Sequence, residues 1–306
     1  MLLLLPLQEN KNIMTQNKEL ISTFKDRSYR SCISDALQCT IKSTPEIIKA
    51  KWNFLIAIAI LQGALFAWQL SLSPGILYVG FKFQPRPIIL SCVLAVAIHI
   101  IIYSTCFSFV NERKVTWNIF RAIKTIPISS GFLFLYLVIV AAISGIYISC
   151  SKVPENIPLL NIILLATATL PILYIITIPL LYVYTRYQME ENAKLAKSFI
   201  KAYSTGFRYC GFIFTIQFLT ALCLAVFELI ICMPQYILIV SQNISAIGTA
   251  SLNDPSGLPS GFYIISIITG TIYGGIRFFT TFFAVKTAQN CYQAISAKLV
   301  KAGKNI

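Results

Sequence analysis

The sequence has few of the residues on which enzyme catalysis depends. It contains one histidine and 11 acidic residues among 306, and its nine cysteines form neither a Cys-x-x-Cys pair nor a Cys/His cluster. Neither a zinc site nor a disulfide framework is therefore indicated. A Gly-x-Ser-x-Gly elbow, a phosphate-binding loop and a His-Glu-x-x-His motif are also missing. We therefore predict a protein without catalytic activity, cofactor or bound metal.

Charged residues are also scarce, at 12% of the chain, whereas 57% of the residues are hydrophobic. The mean hydropathy of +0.73 exceeds what a soluble domain of this length could bury in its core. The formal net charge of +14 could suggest a nucleic-acid partner, but no nucleic-acid-binding module is visible. The Lys and Arg residues lie between apolar runs, which indicates membrane orientation and anionic lipid instead.

The apolar runs predict an all-α, polytopic membrane protein with about six transmembrane helices. The predicted spans are 53–72, 88–110, 131–149, 158–185, 211–231 and 262–285. This divides the chain into a basic N-terminal tail (1–52), a membrane domain (53–285) and a basic C-terminal tail (286–306). The apolar start Met1–Leu7 lacks the basic region of a signal peptide, and translation could equally begin at Met14.

Lys and Arg are distributed unevenly between the two sets of loops. There are 8 in the N-terminal tail, 4 after span two, 5 after span four and 4 in the C-terminal tail, against 3 in the opposite loops. Cytoplasmic loops carry this excess, so we expect both termini in the cytoplasm and the protein in a cell membrane.

The stretch Glu190 to Ile231 joins an amphipathic basic segment to a long apolar one. On a helical wheel, Leu195, Phe199, Ile200, Tyr203 and Phe207 share one face, opposite the basic residues. This pattern is typical of an interfacial helix, with Phe199 and Tyr203 in the acyl boundary. Similar segments precede spans one and three. The residues expected to contact anionic headgroups are Lys194, Lys197, Lys201, Arg208, Arg121 and Lys124.

The three basic segments indicate a threefold repeat, although basic residues before apolar helices also look alike by chance. Ile41-Lys42-Ser43-Thr44-Pro45 returns as Ile123-Lys124-Thr125-Ile126-Pro127, and Gly131-Phe132-Leu133-Phe134 as Gly211-Phe212-Ile213-Phe214. At these segments and at the 254–259 loop (Asp-Pro-Ser-Gly-Leu-Pro), the chain resembles six-span bacterial membrane proteins. The resemblance covers residues 30–300. One such family is the membrane domain of some glycerophosphodiester phosphodiesterases. The resemblance implies interfacial helices and hairpins, and it implies no activity because the catalytic domain of that family is missing.

Ionisable side chains within the spans are costly to bury and are the first candidates for a site. Measured from the cytosolic ends of the predicted spans, four polar residues lie at a similar depth in the inner half of the membrane. They are His99, Tyr103, Gln217 and Arg277. They could hold an anionic headgroup or a small anion, or Arg277 could simply extend to the interface. Glu228 lies roughly 27 Å from its cytosolic span end and Arg277 roughly 12 Å from its own, so we expect them not to pair.

Small residues at four-residue spacing predict close helix packing at Gly63, Ala141, Gly270 and Gly274. Cys150 and Cys232 lie near outer span ends, where a disulfide could form.

Taken together, the sequence predicts a non-catalytic inner-membrane protein that acts in envelope organisation or lipid interaction, with membrane lipids as partners and self-association possible. The alternative is a small transporter or anion-binding protein that uses the inner-half polar layer.

Overall fold

A computed structural model of the chain describes residues 27–72, 85–150, 158–252 and 257–303. These residues form seven helices and no strand, which confirms the predicted all-α class. The helices are α1 (Tyr29–Leu72), α2 (Pro85–Asn111), α3 (Val115–Cys150), α4 (Pro158–Met189), α5 (Leu195–Arg208), α6 (Cys210–Leu252) and α7 (Phe262–Lys301). The predictions about Met1, Met14 and the 151–157 turn lie outside the described residues.

Among the described residues, five helices are long and apolar enough to cross a membrane: α1, α2, α3, α6 and α7. The chain is therefore a polytopic membrane protein. The predicted fourth span corresponds to α4, which begins at Pro158 as expected and continues to Met189. In the most apolar 18-residue stretch of α3, only 6% of the residues are buried within the protein.

The three basic segments meet their spans in different ways. In α1 two helical segments join at a kink at Lys51 (φ −137°, ψ 25°), immediately before the predicted span. In α3 the basic segment passes through Pro127 into the apolar part as one helix. Backbone groups in lipid must be hydrogen-bonded, so a helix continues past a proline where water is excluded. The third predicted interfacial helix, α5, ends at Arg208, before α6 begins at Cys210.

Between the predicted spans 211–231 and 262–285, much of the chain is helical, because α6 runs through Pro234 to Leu252. Similarly, α7 continues beyond the predicted span end at Val285 to Lys301. A helix of 43 residues is roughly 65 Å long, against a hydrocarbon core of roughly 30 Å. Each of these helices therefore extends beyond the apolar core.

The chain divides into two compact units. Unit 1 contains Met1–Cys32, Thr116–Gln217 and Ala288–Ile306, and unit 2 contains Ile33–Val115 and Phe218–Thr287. Each unit thus combines segments that are far apart in sequence.

The core of unit 1 is built from α4, α5, the start of α6 and the end of α7. Gly206 of α5 lies directly on Pro179 of α4, where an added Cβ would be 2.8 Å from the Pro179 carbonyl oxygen. The Tyr203 hydroxyl donates to the Ile176 carbonyl at 2.8 Å. The buried residues are Cys32, Ile178, Tyr182, Val183, Ala202, Phe212, Ile213, Ile216, Cys291, Tyr292, Ala294, Ile295 and Leu299. They fix α5 along the side of α4.

Alanine at Gly206 should destabilise unit 1 by about 2 kcal/mol, because the new methyl group meets backbone that has no room to move. The matched control is Gly211→Ala, since no atom lies within 4 Å of the position of its added Cβ. The measurement is the midpoint of thermal unfolding of the purified protein in detergent. Equal midpoints for the two variants would show that the contact with Pro179 is loose.

In unit 2, α1 and α7 pack together through glycines. An added Cβ on Gly63 would lie 2.3 Å from Thr271 Oγ1, and one on Gly270 would lie 2.8 Å from Gly63 Cα. An added Cβ on Gly274 would lie 2.8 Å from Gln62 Oε1 and 3.1 Å from Ala59 Cα. The predicted close packing at Gly63, Gly270 and Gly274 is confirmed. We call this contact the glycine seam.

Candidate functional site

Helix α5 has three different faces. Its buried face contains Ala202 and Gly206, with Leu195, Phe199 and Tyr203 packed beside them on the core of unit 1. A second face exposes Ile200 and Phe207, with Ile200 82% exposed. The third face carries exposed Lys194, Lys197, Lys201 and Arg208. At about 100° per residue, the faces follow one another around the helix in this order.

This arrangement corrects the placement of Phe199 and Tyr203. We predicted both rings in the acyl boundary, but they pack against the protein core and stack on each other, with ring centroids 5.8 Å apart. An apolar stripe indicates that a helix face is buried, without distinguishing lipid from protein as the partner. Ile200 and Phe207 are therefore the residues of this helix that remain available to lipid.

An open groove of about 640 Å³ lies between the end of α4 and the basic face of α5. We call it the basic groove. Four of its side chains are cationic and two are acidic, which leaves an excess of two positive charges. Its lining residues are Arg186, Glu190, Glu191, Asn192, Ala193, Lys194, Lys197, Ser198 and Lys201.

The Glu190 carboxylate is already occupied within the protein. Arg186 Nε donates to both of its oxygens at 3.0 Å, and the Tyr292 hydroxyl donates to Oε1 at 2.8 Å. Burial, and then the Glu190 charge, raise the pKa of Tyr292 above its ordinary value, so this phenol stays a proton donor. In the part of the chain that the structure describes, the ammonium groups of Lys194, Lys197 and Lys201 form no ion pair. The groove therefore presents three lysines to a ligand.

Arg121 shapes the rim of the groove. Its guanidinium donates to the carbonyl of Tyr187 in the last turn of α4, and to those of Glu190 at 2.7 Å and Glu191 at 2.5 Å just after it. It also lies 3.9 Å from the centre of the Trp117 ring and 4.4 Å from that of Tyr187. This corrects the predicted headgroup contact, because Arg121 is engaged by backbone and aromatic groups of the protein. Lys124, one turn further along α3, is exposed, and its headgroup contact stays a prediction.

Of the predicted polar layer, the structure places His99, Tyr103 and Arg277 in unit 2 and Gln217 in unit 1. His99 lies on α2 and Arg277 on α7. The Tyr103 ring packs on Phe107, with centroids 4.8 Å apart. The side-chain oxygen of Gln217 is buried without a hydrogen-bond partner among the described residues.

No family model, curated protein or solved structure matches this chain. The resemblance to the phosphodiesterase membrane domain therefore stays a prediction.

Among the described residues, no group of three or more His, Cys, Asp and Glu side chains could hold a metal ion. Cys232 carries a free, buried thiol.

Glu228 and Arg277, which we expected not to pair, both lie in unit 2 and are half-buried. In the described part of the chain, no ion pair joins them. Since α7 continues to Lys301, Arg277 lies well inside its helix.

Proposed function

We propose that this protein is a non-catalytic, multi-pass protein of the bacterial inner membrane that binds anionic phospholipid headgroups in the basic groove. Lys194, Lys197 and Lys201 contact the phosphates there, while Ile200 and Phe207 enter the acyl region beside them. Binding would serve lipid interaction or envelope organisation, with the groove and both termini on the cytoplasmic side.

The observation that carries this proposal is the set of three lysines without ion pairs in a groove where Arg186 already neutralises Glu190, one of the two carboxylates. Exposed apolar residues occur on the same helix, which is the composition of a segment that lies at a membrane surface. The excess of Lys and Arg in the loops that contain this groove supports the cytoplasmic side.

Replacement of Lys194, Lys197 and Lys201 together by glutamine should weaken binding of phosphatidylglycerol by about 100-fold. Each lysine near an anionic headgroup contributes about 1 kcal/mol, and about 1.4 kcal/mol corresponds to a tenfold change. The measurement is native mass spectrometry of the purified protein titrated with phosphatidylglycerol, with phosphatidylcholine as the neutral comparison.

The matched control is the triple replacement by arginine, which keeps the charge and should retain binding. If the glutamine variant binds phosphatidylglycerol as tightly as the original protein, the basic groove is not the headgroup site.

The alternative function, a small transporter or anion-binding protein, is favoured by one observation. His99 and Arg277 are ionisable residues of unit 2 that lie inside the apolar stretches of α2 and α7. An arginine there needs a compensating group, and a substrate anion is one candidate. For this function, Arg277→Gln would leave the protein folded and abolish binding of inorganic phosphate or another small anion.

A further inference from the structure

The three lysines of the basic groove are spread along its length. Lys194 directly precedes α5, Lys197 and Lys201 lie on the first two turns of that helix, and all three line the groove. At 1.5 Å per residue, Lys194 and Lys201 are roughly 10 Å apart along the helix axis. Bringing all three ammonium groups to one phosphate would force like charges together. The row of lysines therefore suits more than one phosphate.

The charge of the groove indicates how many phosphates it takes. Arg186 is paired with Glu190, and the other ionic side chains of the lining are the three lysines and Glu191, which leaves the excess of two positive charges. A phosphodiester carries a single negative charge. One phosphatidylglycerol therefore neutralises half of this excess, whereas two phosphodiesters neutralise all of it.

The groove also contains hydrogen-bonding groups without charge. The Ser198 hydroxyl donates to the Lys194 carbonyl at 2.8 Å, which leaves its oxygen able to accept a hydrogen bond. Asn192 is exposed in the lining, and its amide can both donate and accept. These groups suit a hydroxylated linker between two phosphates.

Exposed apolar side chains lie beside the groove on two helices. On α5, Ile200 neighbours Lys201 and is almost fully exposed. The Phe132 and Tyr203 rings stack with centroids 6.1 Å apart, so α3 packs beside α5. On α3, Phe120 is 67% exposed and directly precedes Arg121 at the groove rim. A free diphosphate would leave these apolar residues uncovered, whereas a lipid brings acyl chains to them.

We propose that the ligand of the basic groove is a lipid with two phosphates joined by a glycerol, which is diphosphatidylglycerol. One phosphate lies at Lys194 and the other at Lys201, with Lys197 between them. Because the phosphates are linked, the second contact avoids the entropy cost of recruiting a second lipid. The choice of this lipid rests on the proposed function, headgroup binding in the basic groove.

The test is native mass spectrometry of the full chain in detergent, titrated separately with diphosphatidylglycerol, phosphatidylglycerol and phosphatidic acid. At about pH 8, phosphatidic acid carries about two charges on one phosphate, so it separates total charge from the number of phosphates. We expect diphosphatidylglycerol to bind at least about fivefold more tightly than either lipid, the gain expected for one further lysine contact. Inorganic pyrophosphate, measured by isothermal titration calorimetry, should bind more weakly than diphosphatidylglycerol.

The two ends of the lysine row are tested separately. Lys194→Gln and Lys201→Gln each remove the contact with one phosphate, so each should reduce the preference for diphosphatidylglycerol over phosphatidylglycerol to less than about twofold. Lys197→Gln should weaken both lipids and keep the preference. The matched control is Lys42→Gln, an exposed lysine of α1 in unit 2, which should bind all three lipids as the original protein does.

The triple replacement of the lysines by glutamine tests headgroup binding itself. If it leaves the binding of all three lipids unchanged, the proposed function and the two-phosphate ligand are both wrong. If it weakens phosphatidylglycerol, but diphosphatidylglycerol binds no more tightly than phosphatidylglycerol or phosphatidic acid, headgroup binding stands and the two-phosphate ligand is overturned. A preference that neither Lys194→Gln nor Lys201→Gln reduces would also overturn it, and tighter binding of pyrophosphate would overturn the lipid source.

Discussion

Alanine at Arg121 should destabilise unit 1 by about 3 kcal/mol. The substitution removes the donors to three backbone carbonyls at the end of α4, and it also removes two ring contacts. A hydrogen bond to a charged group contributes about 1.5 to 3 kcal/mol, and a cation–π contact contributes about 0.5 to 2 kcal/mol. The losses overlap, because one guanidinium makes all of the contacts. The measurement is chemical and thermal unfolding of the purified protein.

The comparison is Lys124→Ala, an exposed cation on the same helix, which should change stability little. Arg121→Lys should recover only part of the loss, because an ammonium lacks the planar fork that reaches several carbonyls. If Arg121→Ala and Lys124→Ala unfold at the same midpoint, Arg121 does not fix the end of α4.

Alanine at Gly63 should open the glycine seam and destabilise unit 2 by about 3 kcal/mol. The added methyl group would lie 2.3 Å from Thr271 Oγ1 and 2.4 Å from the Ile267 carbonyl oxygen. A side chain can rotate away, but a carbonyl in the middle of a helix cannot, so α1 must move away from α7. Small residues stabilise membrane helix pairs because they allow this close approach.

The matched control is Gly275→Ala, where the nearest heavy atom to the added Cβ is the Ala59 Cβ at 4.0 Å. Both variants replace glycine by alanine within a long helix, so their difference in unfolding midpoint isolates the clash from helix propensity. A Gly63→Ala variant that is as stable as Gly275→Ala would show that the glycine seam is not closely packed.

Local residue patterns predicted the helices and the glycine seam correctly. Apolar runs of span length give helices because backbone groups in lipid must be satisfied within their own segment. Glycines at four-residue spacing lie on one face, so Gly270 and Gly274 had to present the same surface to a neighbour. Neither inference depends on which helix is the neighbour.

The predictions that failed all depended on contacts between distant segments. Nothing in the 115–127 segment indicates that Arg121 will reach carbonyls at 187, 190 and 191, because those oxygens belong to a different helix end. Phe199 and Tyr203 look the same whether lipid or protein covers them.

The low burial of α3 means that partitioning into the bilayer, more than packing, holds this helix in place. Leu133, Phe134, Leu135 and Leu137 are each more than half exposed. Each such side chain favours the membrane by about 0.3 to 0.6 kcal/mol on insertion scales, so these gains accumulate before any other helix is present. By contrast, α7 has a mean hydropathy of 1.4 in its most apolar window, against 2.3 for α3. During biogenesis the apolar side chains of α3 therefore favour entry into the bilayer more strongly than those of α7 do.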